Sequence, residues 1–191
     1  MKLNNKYYLM RHGQAILNVK GICSSWPEKF KNPLTKLGRE MVKASVEKFK
    51  ASGKSVDMII NSPLLRCRQT AAIAGKILGD KSRIDKRLRE IGFGKFNGKD
   101  LHLMWKSFKY EKERINKGAD GGETYVQILD RMTAVVEDLE KKYDGKNIML
   151  ISHEGTLFLL QGKLMGLSIE ETIAYFPLEK RIHKAEIREI K

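Results

Sequence analysis

At 191 residues and 41% hydrophobic, the chain is large enough to bury one substantial core but would leave two separate domains with meagre ones. Its two cysteines, with no CxxC and no Cys/His cluster at zinc spacing, exclude a disulfide framework and a structural zinc site, and no apolar run has signal or bilayer length. A formal charge of +14 attracts polyanions in general without choosing among phosphorylated metabolites, nucleic acids and acidic membranes.

Short apolar runs alternate with helical patterns along the chain, which implies an α/β protein with a largely parallel central sheet. The first strand is expected over Lys6 to Met10, followed by Arg11-His12-Gly13, and the first long helix over Leu37 to Ala51. A second strand over Val56 to Asn61 runs into Asn61-Ser62-Pro63, whose cap-like chemistry opens a helix over Leu64 to Leu78 that Gly79 stops. A short strand is expected over Ser82 to Ile84. Then come a loop over Gly92 to Gly98, a helix over Leu101 to Lys117, a loop over Gly118 to Gly122 and a long helix over Glu123 to Tyr143. Asn147 to Ser152 reads as a buried strand, and Thr156 to Met165 as a helix ended by Gly166. Thr172 to Phe176 and Arg181 to Ile187 read as late strands, the latter alternating apolar and charged like a sheet edge.

Arg11-His12 and Ser152-His153 both place a histidine where a buried strand ends, and in open α/β sheets ligands bind beyond the carboxyl ends of the strands. A neutral imidazole can attack phosphorus and hold the group covalently. Arg11 beside His12 would disfavour the protonated ring and also grip phosphate oxygens. Arg66 and Arg68 follow a helix start; two positions apart, they cannot share a face, so Arg66 is assigned to the pocket. Glu90, before a loop rich in glycine and aromatics, would protonate a leaving alkoxide. From Lys81 to Gly118 there are 12 Lys/Arg against 5 Asp/Glu, most of which read as a solvated face.

Taken in order, these patches resemble the histidine phosphatase superfamily, also called phosphoglycerate mutase-like, over nearly the whole chain. The carriers are Arg11-His12-Gly13 with Asn18, Asn32-Pro33-Leu34-Thr35 with Gly38, and Ser62-Pro63 with Arg66 and Thr70-Ala71. Glu90 with Gly98, Gly121-Gly122-Glu123 and Ser152-His153 complete them. The resemblance implies a three-layer α/β/α sandwich, one domain over 1–191 with a small cap at about 91–121, and catalysis by His12, Glu90, His153, Arg11 and Arg66. Arg11, Asn18, Arg66 and His153 would bind phosphate, with no metal and no cofactor. It implies a metal-independent phosphomonoesterase of the histidine acid phosphatase type, and the cysteine usage and absence of a signal-length apolar run lead us to expect it in the cytoplasm. A phosphorylated small molecule is its expected partner, with no membrane and no specific nucleic acid.

Two departures stand out. Glu154 occupies a position where the family often has glycine; it would repel phosphate if turned inward and do no harm if paired with a cation. Thr124 replaces a serine and keeps the hydroxyl. The segment between Glu90 and Gly121 and the C-terminal stretch are short for a cofactor-dependent phosphoglycerate mutase, which favours the phosphatase while leaving the mutase as the alternative. A non-catalytic polyanion-binding protein is the alternative of another class. Trp105, Phe108 and Tyr110 read as cap packing, His102 and His183 as surface or packing residues, and Cys67 as a small buried residue. Cys23, Ser24 and Ser25 lie in a loop within reach of phosphate.

Overall fold

A computed structural model describes residues 2–80 and 82–190. Its sheet has five strands: β1 (Lys6–Arg11), β2 (Met58–Asn61), β3 (Arg83–Ile84), β4 (Asn147–Ser152) and β5 (Ile187–Glu189). They lie in the order β3-β2-β4-β1-β5. All neighbours are parallel except β5, which runs antiparallel to β1 at one edge. Central parallel strands are covered on both faces, so they read as continuous apolar runs. Alternate residues nonetheless go to different layers. Tyr7, Leu9, Met58, Ile60, Ile148 and Leu150 point to one core, while Tyr8, Met10, Ile59, Met149 and Ile151 point to the other.

The first core is closed by α5 (Tyr125–Lys142) and α6 (Glu154–Leu164), the second by α2 (Lys36–Ala51) and α3 (Leu65–Leu78). The result is the expected three-layer α/β/α sandwich around a mostly parallel sheet. The stripe Ile128, Met132, Val135, Val136 and Leu139 on α5 recurs at helical spacing and is buried in that core. Among the described residues, no helix is long and apolar enough to cross a membrane.

The loop after β1 is seated on the start of α2. Thr35 caps that helix by accepting from the Gly38 amide at 2.9 Å, and its hydroxyl donates to Oε1 of Gln14 at 2.8 Å. Gly13 and Gly38 make the approach feasible. A Cβ on Gly38 would lie 2.0 Å from the Gln14 carbonyl oxygen, and one on Gly13 would lie 2.4 Å from the Gly38 carbonyl oxygen. Gly38→Ala is therefore expected to cost about 1–3 kcal/mol by overpacking. Calorimetry should show Tm lower by about 3–10 °C for a chain of this size. An unchanged Tm would show that loop and helix separate freely.

Four expectations from the sequence are corrected. The helix expected over Leu101 to Lys117 ends early: α4 covers Leu101–Trp105, and Glu111–Ile115 forms a separate 3-10 turn. Ser107 donates its hydroxyl to the Met104 carbonyl at 2.6 Å, a local bond that competes with helix continuation. Thr172 to Phe176 is no strand but falls largely within α7 (Ile169–Tyr175), opened by a capping box between Ser168 and Glu171. The β-branched pair Thr172 and Ile173 favoured the wrong reading, although Ser168-x-x-Glu171 was the decisive signal. The final strand begins only at Ile187, because Ala185 takes a left-handed φ of 62° and donates to the carbonyls of Arg11 and His12 instead. The helix expected from Thr156 already starts at Glu154, one residue after His153.

Candidate active site

Register places the two histidines side by side. Arg11 pairs with Ser152 across β1 and β4, and the His12 amide donates to the Ser152 carbonyl at 3.1 Å, so His12 and His153 leave neighbouring strands at the same level. Their rings lie 5.1 Å apart, centroid to centroid, at 64°. Both are buried. His12 Nδ1 lies 2.7 Å from the Gly13 carbonyl, which can only accept, so that nitrogen carries the proton and Nε2 keeps its lone pair. Burial first, and then the charges of Arg66 and Arg11, hold its pKa well below the ordinary 6.5. His153 is held neutral in the same way, by burial and then Arg66. Its Nδ1 faces Nη2 of Arg66 at 3.0 Å and its Nε2 faces the Ser62 hydroxyl at 2.8 Å.

Arg66 is the hub. It leaves the first turn of α3 with 2% of its surface exposed. Nε donates to His12 Nε2 at 3.1 Å, Nη1 to the Ser24 hydroxyl at 3.3 Å and Nη2 to the Ser24 carbonyl at 2.9 Å. Arg68, two positions on, is exposed as the helix geometry requires. Arg11 comes from the end of β1, where Nη1 donates to the Ile182 carbonyl at 3.1 Å and meets Glu154 Oε2 at 2.6 Å. Glu154 thus pairs with a cation, and the cation is one of the two arginines that line the cavity beside His12.

Glu90 stands between these groups. Its Oε2 is 3.6 Å from His153 Nδ1, and its Oε1 accepts from the Ile91 amide at 3.0 Å. Burial raises its pKa above 4.5, outweighing the pull of Arg66. The loop that carries it is clamped from below by α5. Arg131 donates to the carbonyls of Arg87, Arg89 and Glu90 and is itself held by Glu123, which also accepts from the Gly92 amide at 2.7 Å.

The residues named from sequence gather around one cavity: Arg11, Asn18, Arg66, Glu90, Ser24 and Glu154 line it, and His12 and His153 lie beneath. Asn18 Oδ1 accepts from the Ala15 amide at 3.1 Å, which leaves its NH2 as a donor to offer. Cys67 is buried against His153, with Sγ 3.5 Å from Nε2, and burial pushes its thiol up to about 12. His102 and His183 are exposed, Phe108 is buried and Tyr110 exposed, so only part of the aromatic set packs the segment over the site.

Reading the sequence missed Glu28, whose Oε1 approaches Arg66 Nη1 at 3.8 Å, and the Arg131–Glu123 clamp. It also missed Arg114, Tyr125 and Arg181, which line the same cavity. Apart from Glu123, none belongs to a short motif; an arginine on an otherwise apolar helix stripe was the available signal for Arg131 alone. Among the described residues, no group of three or more His, Cys, Asp or Glu side chains is placed to hold a metal ion.

Residues 7–187 match the family model for the histidine phosphatase superfamily, branch 1. The chain belongs to that superfamily. It is 28% identical over 170 residues to a putative phosphoserine phosphatase 2 of Hydrogenobacter thermophilus, covering 86% of this chain and 81% of that one. It is 27% identical to a probable phosphoglycerate mutase of Photorhabdus laumondii, covering 84% of this chain and 74% of the relative. A mycobacterial glucosyl-3-phosphoglycerate phosphatase superposes with a TM-score of 0.82 at 23% identity, over 97% of this chain and 92% of that structure. The alpha-ribazole phosphatase of Shigella flexneri gives 0.79 at 24% identity, over 97% and 90%. These likenesses agree with the sandwich fold, and membership of the superfamily supports a phosphatase activity.

Proposed function

We propose that this histidine phosphatase hydrolyses phosphomonoesters of small metabolites through a phosphohistidine on His12, without a divalent metal. The observation that carries this reading is the buried, unprotonated Nε2 of His12 facing the Arg66 guanidinium at 3.1 Å. A phosphoryl group drawn between Arg66 and Arg11 takes the Arg66 Nε–H from His12 Nε2 onto its own oxygens, which frees that lone pair for phosphorus while two positive charges meet the charge on the equatorial oxygens. Nε2 attacks phosphorus, the bond to the ester oxygen breaks, and the departing alkoxide takes the proton of Glu90. Water then attacks the phosphohistidine, giving up a proton to the Glu90 carboxylate, and inorganic phosphate leaves with His12 restored. Asn18 and His153 add hydrogen bonds to the phosphoryl oxygens. In this reading residues 1–191 act as one cytoplasmic domain, with residues 91–121 as a small cap over the site.

The test is to incubate the protein, with chelator present, against a panel of phosphomonoesters and to follow free phosphate and isomeric products together. Phosphate release is the expected result. Isomer formation without release would make the chain a mutase, and neither would leave the basic surface as a polyanion-binding face.

Glu154 sets the strength of phosphate binding in this scheme, because an incoming phosphate must compete with its carboxylate for Arg11. Glu154→Gln is expected to lower KM for phosphomonoesters by about 3- to 10-fold, the worth of one partly exposed ion pair, with kcat little changed. A raised KM in steady-state assays would show instead that Glu154 positions Arg11.

A further inference from the structure

Glu90 stands where the body of the fold gives way to the segment over the site. Its Oε2 lies 3.6 Å from His153 Nδ1, yet the hydrogen bond its carboxylate accepts among the described residues comes from the Ile91 amide next to it, at 3.0 Å. A carboxyl held by its own chain neighbour is placed by its backbone. That backbone is held by α5. Arg131, with 9% of its side chain exposed, uses all five of its N–H groups there. Nη1 donates to the carbonyls of Arg87 and Arg89, the latter at 2.9 Å, and Nη2 to the Glu90 carbonyl at 3.3 Å. The other two bonds run from Nε to Oε1 and from Nη2 to Oε2 of Glu123, each at 2.9 Å, a bidentate pair.

Glu123 grips the chain beyond Glu90. Its Oε2 accepts from the Gly92 amide at 2.7 Å, and its own amide donates to the Gly92 carbonyl at 2.9 Å. The backbone is thus fastened at residues 87, 89, 90 and 92, on both sides of the carboxyl-bearing residue. The helix that does this is itself anchored, since Ile128, Met132 and Val135 on either side of Arg131 are buried in the first core. Neither Arg131 nor Glu123 lines the cavity, so any effect on the reaction passes through the loop they hold.

We propose that Arg131 and Glu123 are positioning residues for Glu90, tying its main chain to α5 so that the carboxyl keeps its place while the segment after it moves. The assignment rests on the phosphatase reading, in which Glu90 protonates the departing oxygen. An acid displaced by about 1 Å loses much of its advantage, because misplacement on that scale can cost about 100-fold in rate.

The experiment compares an alkyl phosphate, which needs that proton, with p-nitrophenyl phosphate, which does not, in Arg131→Lys and Glu123→Gln, each alone and combined with Glu90→Gln. Lysine keeps the charge but lacks the planar fork that reaches three carbonyls and a carboxylate together, and glutamine keeps an acceptor for Gly92 while breaking the ion pair. Each single variant is expected to lower kcat on the alkyl ester by about 10- to 100-fold, with KM and the turnover of p-nitrophenyl phosphate little changed. In the Glu90→Gln background neither should slow the alkyl ester further, because the proton being placed is gone. A merely structural contribution would slow both esters alike and would persist without Glu90. Equal losses on the two esters, no loss on either, or an undiminished loss in the Glu90→Gln background overturns the proposal and leaves the phosphatase reading standing. A wild type that releases phosphate from no ester overturns that reading and this proposal with it. Glu123→Gln carries the comparison if Arg131→Lys does not fold.

Discussion

His12→Ala is expected to lower kcat/KM for every phosphomonoester the protein accepts by about 10⁴-fold or more, the scale seen when a covalent nucleophile is removed. The loss follows from position, because among the described residues no other side chain presents an unprotonated nitrogen to Arg66 in the same place. His153 Nδ1 also faces Arg66, at 3.0 Å, but that ring is pinned by Ser62 on its other side. Brief mixing with a labelled phosphoester should trap label on the wild type in an acid-labile, base-stable form, and none on the variant. Label retained by His12→Ala would move the nucleophile to His153. His12→Ala should remain folded, since removing a buried imidazole leaves a cavity but frees no carboxylate from its partner.

Glu90→Gln should produce a second large effect, and one that depends on the leaving group. Alkyl phosphates need a proton at the departing oxygen and should lose about 10²- to 10⁴-fold in kcat. An activated aryl ester such as p-nitrophenyl phosphate leaves without one and should lose far less. Equal losses on both would assign Glu90 to positioning.

The pH profile follows from the same groups. His12 must be neutral to attack, and its pKa is pulled below 6.5, so the acid limb of kcat/KM falls below that value. Glu90 must be protonated to act, and burial raises its pKa, so the alkaline limb lies higher than for an ordinary carboxyl. Activity should therefore fall on both sides of an optimum, and Glu90→Gln should remove the alkaline limb for alkyl esters.

The residues of the candidate site were legible in the sequence because each sits next to a feature with a strong local signal. His12 and His153 end buried apolar strands, Arg66 follows a proline at a helix start, and Glu90 precedes a glycine-rich loop. The three-layer fold was legible for the same reason, with β4 matching its expected limits and the long helices shifted by no more than two residues at either end. The segment from Leu101 to Lys117 was not, since the Ser107 hydroxyl bonds back to the Met104 carbonyl just past Trp105 and Arg114 packs against the rings of Trp105 and Tyr125, contacts that apolar spacing does not show. Nor could sequence show that Glu154 would find Arg11, because that contact needs β1 and β4 in register before either side chain has a neighbour.

That register has a further consequence for how the molecule opens. The spacing between His12 and His153 is fixed by main-chain bonds at the centre of the sheet, among the last amides in any protein to exchange with solvent. The short α4, the 3-10 turn after it and the loops around them rest on fewer such bonds. Deuterium should enter residues 91–121 by local fluctuations long before it reaches β1 and β4. The mouth of the cavity is thereby free to widen and narrow while the two histidines stay at a constant separation.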